Sequence, residues 1–227
     1  MITQIYSIQT PEEAQLCIDC GVDSIGIAAG VGTAAIPAAI PFERGRKIFS
    51  LIGDRAQKVA LTVADNEEDI YPVLDELAPD VLHICGNRFF ASADFARRLR
   101  ERYPLVKLLQ AIAVTGSKAV EEAVHFSEFC DFLILDSVKA GIDGIGAAGL
   151  THDWSISKRI VEALEGSPCK VILAGGLGPD NVSEAIRKVR PYGVDSFTKT
   201  SKDGRKDGAL IAAFVKNAQA AAKELSL

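Results

Sequence analysis

Short runs rich in β-branched and large apolar residues alternate along the chain with longer stretches in which apolar residues recur every three or four positions. The short runs predict strands over 4–8, 24–27, 59–63, 81–84, 107–114, 132–135, 171–173 and 194–197. The periodic segments predict helices over 11–20, 42–52, 92–102, 118–128, 156–164 and 180–189, with a last one over 207–223. Helix starts carry matching signals: Thr10 precedes Pro11, Ser92 precedes Ala93, and Pro179-Asp180 precedes Asn181. Runs such as FLILD at 132–136 and KVILA at 170–174 are almost continuously apolar, as strands of a parallel sheet covered on both faces must be.

Strand and helix patterns in alternation over a little more than 220 residues predict the α/β class and a single (β/α)8 TIM barrel, one domain over 1–227. An open doubly wound sheet would carry a G-x-G-x-x-G turn after its first strand. The chain instead reads Ser7-Ile8-Gln9-Thr10, without glycine. The small-residue stretch 30–39 is expected to form a mobile loop after the second strand.

Composition narrows the function. Of 227 residues, 48% are hydrophobic and 24% charged, enough to bury a core without disulfide or metal staples. The net charge is −5 and the basic residues are scattered, so neither nucleic acid nor a membrane surface is an expected partner. No apolar run reaches the roughly 18 residues of a membrane span. The opening MITQIYSIQTPEEA lacks the basic start and apolar core of a signal peptide, so a cytoplasmic address is expected. Five cysteines, an odd count, argue for reduced thiols, and Cys17-x-x-Cys20 lies in a helical pattern with no second pair to complete a zinc site. No metal or cofactor is expected, and a homo-oligomer is left open.

In such barrels ligands sit at the C-terminal ends of the strands. Alternation places Gln4, Tyr6 and Ile8 on one face of strand one, His83 and Cys85 on one face of strand four, and Phe132, Ile134 and Asp136 on one face of strand six. Asp136 is the most informative: a carboxylate directly after an apolar run is costly unless solvated, paired or used. The turn Ala174-Gly175-Gly176-Leu177-Gly178-Pro179 and the segment Thr198-Lys199-Thr200-Ser201 follow strands seven and eight, where these barrels usually bind phosphate.

On these motifs the chain resembles the phosphoribosylanthranilate isomerase family, barrel enzymes of the tryptophan pathway. The resemblance covers nearly the whole chain. It rests on FLILDS at 132–137, Gly144-Ile145-Gly146 leading to His152-Asp153-Trp154, and ILAGGLGPDNV at 172–182. Gly193-Val194-Asp195, Gly204-Arg205-Lys206-Asp207 and Phe214-Val215 follow in order and spacing. The start matches through 4–8, Pro11-Glu12-Glu13-Ala14 and 21–26. The resemblance implies an Amadori rearrangement of a phosphoribosyl amine to an open-chain amino ketose. It implies an acid at the end of strand six, Asp136, and a phosphorylated small-molecule substrate held by Gly146, Asp153, Gly175, Gly176, Thr198 and Lys199. Asp153 serves equally well as a helix cap.

Two departures stand out against the family. Its base is a cysteine on strand one, in a Lys-Ile-Cys-Gly-Ile-Thr type motif, and Tyr6 occupies that place. An unperturbed phenol costs about 4 kcal/mol to ionise at pH 7, so Tyr6 is a poor direct replacement. Tyr6, His83 or Cys85 is expected to orient substrate or act as base, with His83 and Cys85 the obvious replacements for the thiol. The family also carries an arginine after strand two that reaches the anthranilate carboxylate, and 36–42, IPAAIPF, has none; Arg44 and Arg46 fall in the next helix. Weak or absent turnover of phosphoribosylanthranilate itself is therefore expected. A different phosphosugar isomerase, epimerase or lyase, a Schiff-base aldolase using Lys139 or Lys199, a His83–Cys85–Asp136 metal site and a non-catalytic metabolite-binding barrel are the alternatives.

Overall fold

A computed structural model of the chain describes residues 1–30, 36, 38–86, 88–138, 145–146 and 149–227. Eight parallel strands close into a barrel in chain order: β1 (Ile2–Ile5), β2 (Ser24–Ala28), β3 (Gln57–Thr62), β4 (Val81–Ile84), β5 (Lys107–Ala113), β6 (Phe132–Asp136), β7 (Lys170–Leu173) and β8 (Gly193–Ser196). Around them run α1 (Pro11–Asp19), α2 (Phe42–Ile52), α3 (Tyr71–Leu77), α4 (Ala93–Arg102), α5 (Lys118–Ser127), α6 (Trp154–Ala163), α7 (Val182–Val189) and α8 (Gly208–Glu224). Two of the helix starts read from sequence are side-chain caps: Thr10 accepts from Glu13 N–H and Ser92 from Phe95 N–H, both at 3.2 Å; the third helix, α7, begins at Val182 without one.

Period-two alternation divides the strand side chains into two cores. Ile5, Ile27, Leu82, Leu133, Leu173 and Val194 face outward and pack beneath the helices. Val59, Leu61, Leu109, Ala111, Ile134 and Ile172 face inward and fill the barrel.

Three differences from the sequence reading have local causes. Helix α3 escapes notice because YPVLDEL is only two turns long, and Pro72 near its start is tolerated where the N–H has no helical partner. A 3-10 turn at Thr198–Thr200 and the hairpin β9 (Ser201–Lys202) with β10 (Arg205–Lys206) occupy the segment after β8. Strand β1 ends at Ile5 rather than residue 8, although single bonds continue its pairing, from Tyr6 N–H to Ser196 and from Ile8 N–H to Gly26. Most of the stretch 30–39 lies outside the described residues.

The lower rim carries a repeat invisible to hydrophobic patterning. Asp23, Asp80 and Asp131 each stand one residue ahead of an even strand, β2, β4 and β6. Each carboxylate accepts a backbone N–H at the foot of the preceding strand, from Thr3, Lys58 and Leu108 at 2.8, 2.8 and 2.9 Å. Each main-chain carbonyl accepts the N–H of the first residue of the following strand: Gln57, Lys107 and Lys170. One aspartate thus ties three strands. Tyr192, ahead of β8, repeats the backbone half of the arrangement, with Tyr192 N–H bonded to Val171 and Ile2 N–H to Tyr192, but its side chain packs on the Phe132 ring, 6.3 Å between centroids, in place of the carboxylate's bond. Asp23→Ala orphans both the N–H and the hydroxyl of fully buried Thr3, each held at 2.8 Å. It is expected to cost about 1–3 kcal/mol and to lower Tm by several degrees in a thermal melt.

Candidate active site

Inward positions at the C-terminal ends of the strands gather the chemistry. Tyr6, His83, Cys85, Asp136 and Gly146, all singled out from sequence, line one cleft that opens to solvent, together with Asp195, which was not. Gly175, Gly176 and Thr198 line an adjoining smaller cavity. Asp136, Asp195 and Phe197 border both, so the two form one mouth.

Tyr6 is buried, its ring lying where a side chain on β2 would be. A Cβ on Gly26 would come within 2.1 Å of the ring, so glycine at that position makes room for the phenol. The Tyr6 hydroxyl and His83 Nδ1 are 2.9 Å apart. His83 Nε2 is buried and has no partner among the described residues. Burial drives the His83 imidazole down to about 3, so the ring is neutral at physiological pH. Burial, then the Asp195 and Cys85 charges, raise the Tyr6 phenol above its ordinary value. The Cys85 thiol donates to the Ile145 carbonyl at 2.7 Å, and burial followed by the Asp136 charge pushes it up to about 12. Neither the phenol nor the thiol ionises near neutrality, and Cys85 is engaged in holding Ile145 over the mouth.

Asp136 behaves differently. Burial raises its carboxyl to about 7, opposed by the Ser137 N–H donating to Oδ1 at 2.7 Å. It packs on Gly146, whose φ is +107° and whose Cβ would stand 2.5 Å from Oδ2, so only glycine allows that approach. Asp195 is buried on β8, accepts from Gln4 Nε2 at 3.2 Å, and is raised to about 8 by burial and then by the Asp136 carboxylate. The signal that would have found it is the one that found Asp136: a carboxylate at an inward position of an otherwise apolar strand.

The double-glycine turn is clamped from several sides. Gly175 and Gly176 take φ +84° and +58°. A Cβ on Gly175 would lie 2.8 Å from both His152 Nδ1 and Ser137 Oγ. Asn181 accepts from Gly178 N–H at 2.9 Å and donates to the Gly176 carbonyl at 3.1 Å, while Ser196 Oγ donates to the Leu177 carbonyl at 2.7 Å. Lys206, on β10, donates its ammonium to the carbonyls of Tyr6 and Phe197, joining the ends of β1 and β8; burial brings it down to about 8. Sequence reasoning missed Asn181 and Lys206 as positioning groups, because only the folded chain shows what they hold.

Two expected ligand contacts fall elsewhere. Asp153 is exposed and accepts from Ser155 N–H at 2.9 Å as the cap of α6, which accounts for its place fully. Lys199 is exposed and lines neither cavity; its Cβ is the nearest neighbour to Gly178. The Schiff-base alternative loses Lys199 on the same ground, and Lys139 lies outside the described residues. Of the His83–Cys85–Asp136 trio, the Cys85 thiol bonds Ile145 and His83 Nδ1 meets Tyr6.

Comparisons with known proteins agree with this geometry. A family model described as N-(5'-phosphoribosyl)anthranilate (PRA) isomerase matches residues 23–217. The chain is 31% identical over 220 residues to N-(5'-phosphoribosyl)anthranilate isomerase 2 of Methanosarcina mazei, covering 96% of this chain and 94% of that one. The crystal structure of phosphoribosyl anthranilate isomerase from Thermotoga maritima superposes with TM-score 0.78 at 26% identity, over 97% of this chain and all of that one. A further isomerase structure, in complex with reduced 1-(o-carboxyphenylamino)-1-deoxyribulose 5-phosphate, shares the fold at TM-score 0.76 and 24% identity, over 97% of this chain and 100% of that one.

Between the reference carboxyl at 3.8 and about 7, the native state holds a proton on Asp136 that the unfolded chain has released. Stability therefore falls as pH rises through that window. Asp136→Asn removes the loss and is expected to gain a few kcal/mol on the wild type by pH 8, with little difference at pH 4; Tm against pH for both proteins measures it.

Proposed function

The chain belongs to the N-(5'-phosphoribosyl)anthranilate isomerase family, and from that premise we propose that its barrel mouth isomerises a phosphorylated ribosylamine to the open-chain amino ketose, with Asp136 as general acid. The observation that carries the reading is the carboxyl of Asp136, kept protonated near neutral pH by burial and placed where the cleft meets the double-glycine turn. An acid of pKa near the working pH transfers a proton most effectively.

In this reading the phosphate lies against Gly175, Gly176 and Thr198, where main-chain N–H groups and a hydroxyl suit an anion. The sugar spans the two carboxylates. Asp136 gives its proton to the ring oxygen, the carbon–oxygen bond at C1 breaks with its pair left on that oxygen, and the nitrogen lone pair closes an iminium. The group on nitrogen faces Ile36, Leu61 and Val63, an apolar wall that fits an aromatic ring. Among the described residues lining the cleft there is no arginine or lysine. An anthranilate carboxylate would thus enter a site that already holds two carboxyl groups, with no cation among the described lining residues to meet it.

Purified protein assayed with N-(5'-phosphoribosyl)anthranilate is expected to turn over slowly, and faster with the analogue whose aniline ring has no carboxylate. Asp136→Asn is expected to lower kcat by about 10²–10⁴-fold. In the wild type, activity falls on the alkaline side as Asp136 loses its proton around pH 7. Rapid turnover of the anthranilate substrate would refute the substrate preference; undiminished activity of Asp136→Asn would refute the role of the acid.

A further inference from the structure

We propose that Asp195 is the base of this enzyme, taking the C2 proton that a strand-one thiol takes in the family, so that the base has moved one strand around the barrel, from β1 to β8. This rests on the isomerase reading above.

Strand register places the two carboxylates. Leu135 pairs with Leu173, and Leu173 with Val194. The next residue on each strand brings Asp136, Ala174 and Asp195 into one layer of the barrel, all pointing inward. Two strand spacings separate their backbones by about 10 Å, and both side chains lean toward the axis. Between them stands the methyl of Ala174, which leaves the gap open. Both carboxyl groups border the small cavity of the glycine turn and the larger cleft. A pentose lying across that gap has one acid on each side. On β1, Gln4 pairs in register with Asp195 and donates to it, so Tyr6, two residues further along the same face, lies one layer above on the neighbouring strand.

Tyr6, His83 and Cys85 have other engagements. The Tyr6 hydroxyl meets His83 Nδ1, and the Cys85 thiol is donated to Ile145. His83 is neutral and too weakly basic to hold a proton. Charged or titratable groups facing Asp195 are Asp136 on β6, Tyr6 just past β1, Cys85 just past β4 and Lys206 on the hairpin. Repulsion from Asp136 acts only while Asp136 is ionised. Burial, the largest influence on Asp195, opposes its ionisation throughout; once Asp136 carries the proton the added repulsion is gone, and the Gln4 amide and the Lys206 charge favour the Asp195 anion. The pair then holds one proton in the arrangement the reaction requires.

After Asp136 has opened the ring, the Asp195 carboxylate takes the proton from C2. The C2–H pair becomes the C1=C2 bond, and the π pair of the iminium returns to nitrogen. The resulting enolamine gives its hydroxyl proton to Asp136 and receives at C1 the proton held by Asp195. Both carboxyl groups are restored, and no oxidant, reductant or outside proton source is consumed.

The test compares wild type, Asp195→Asn, Asp195→Ala and Tyr6→Phe, first checked for wild-type circular dichroism. Substrates are phosphoribosylanthranilate and its carboxylate-free analogue, each also deuterated at C2. Expected for Asp195→Asn is a fall in kcat of about 10²–10⁴-fold. Affinity for reduced 1-(o-carboxyphenylamino)-1-deoxyribulose 5-phosphate should stay within about threefold of wild type, and formate should restore part of the activity of Asp195→Ala. Tyr6→Phe is expected to keep kcat within about tenfold and its deuterium isotope effect intact. An active wild type with an equally active Asp195→Asn overturns the assignment while leaving the isomerase reading standing, and so does loss of the C2 step in Tyr6→Phe. A wild type inactive on both substrates overturns the isomerase reading, and this one with it. If Asp195→Asn and Asp195→Ala do not fold, the result for Tyr6→Phe decides the matter.

Discussion

A carboxyl group taken out of water keeps its proton, and the mouth of this barrel is organised around two that have been taken out together. Asp136 and Asp195 lie in one layer with a single alanine strand between them, and among the described residues no cation lines the cleft they share. Their charge states are consequently linked: whichever holds the proton makes it easier for the other to be ionised. Ordinary backbone geometry serves this pair. Gly146 lets the loop press onto Asp136, Gln4 braces Asp195, and Lys206 fastens the two strand ends from outside the cavity. The proposed acid and base roles are two states of one coupled group.

Replacing a thiol by a phenol on β1 changes more than the nucleophilicity of one atom. The larger ring needs the space above Gly26 and a polar partner for its hydroxyl, which the His83 ring provides. That pairing leaves His83 Nε2 buried without a partner among the described residues, at a cost of about 1–3 kcal/mol if no water reaches it. A pair maintained at such a cost shapes the pocket wall, and it turns the upper part of β1 from a reactive surface into a rigid aromatic one.

Much of this was legible in the chain before any coordinates. Alternating strand and helix patterns gave the barrel, and the apolar run ending in Asp136 gave one member of the acidic pair. Asp195 carried the same signal in Gly193-Val194-Asp195-Ser196, yet the shorter apolar flank let it pass as part of a motif rather than as a buried charge. Asp153 shows the opposite case, since of its two readings from sequence the structure displays the local cap. What could not be read is anything that depends on closure: which strands meet in register, that Lys206 reaches two carbonyls distant in sequence, and that three aspartates clasp the lower rim. Such contacts join residues whose spacing carries no period.

That clasp is incomplete in one place. Tyr192 stands where a fourth aspartate would bind, and β7 and β8 share only two register pairs, against five between β5 and β6. The seam between β1 and β2 also has two register pairs but carries the Asp23 clasp; the two-pair seam without a clasp runs beneath the glycine turn and Thr198. An anion gripped by both of those loops acts as a staple across the gap, lending from above the cohesion missing below. If the proposed phosphate site is filled, occupancy and cohesion across this seam would be one event.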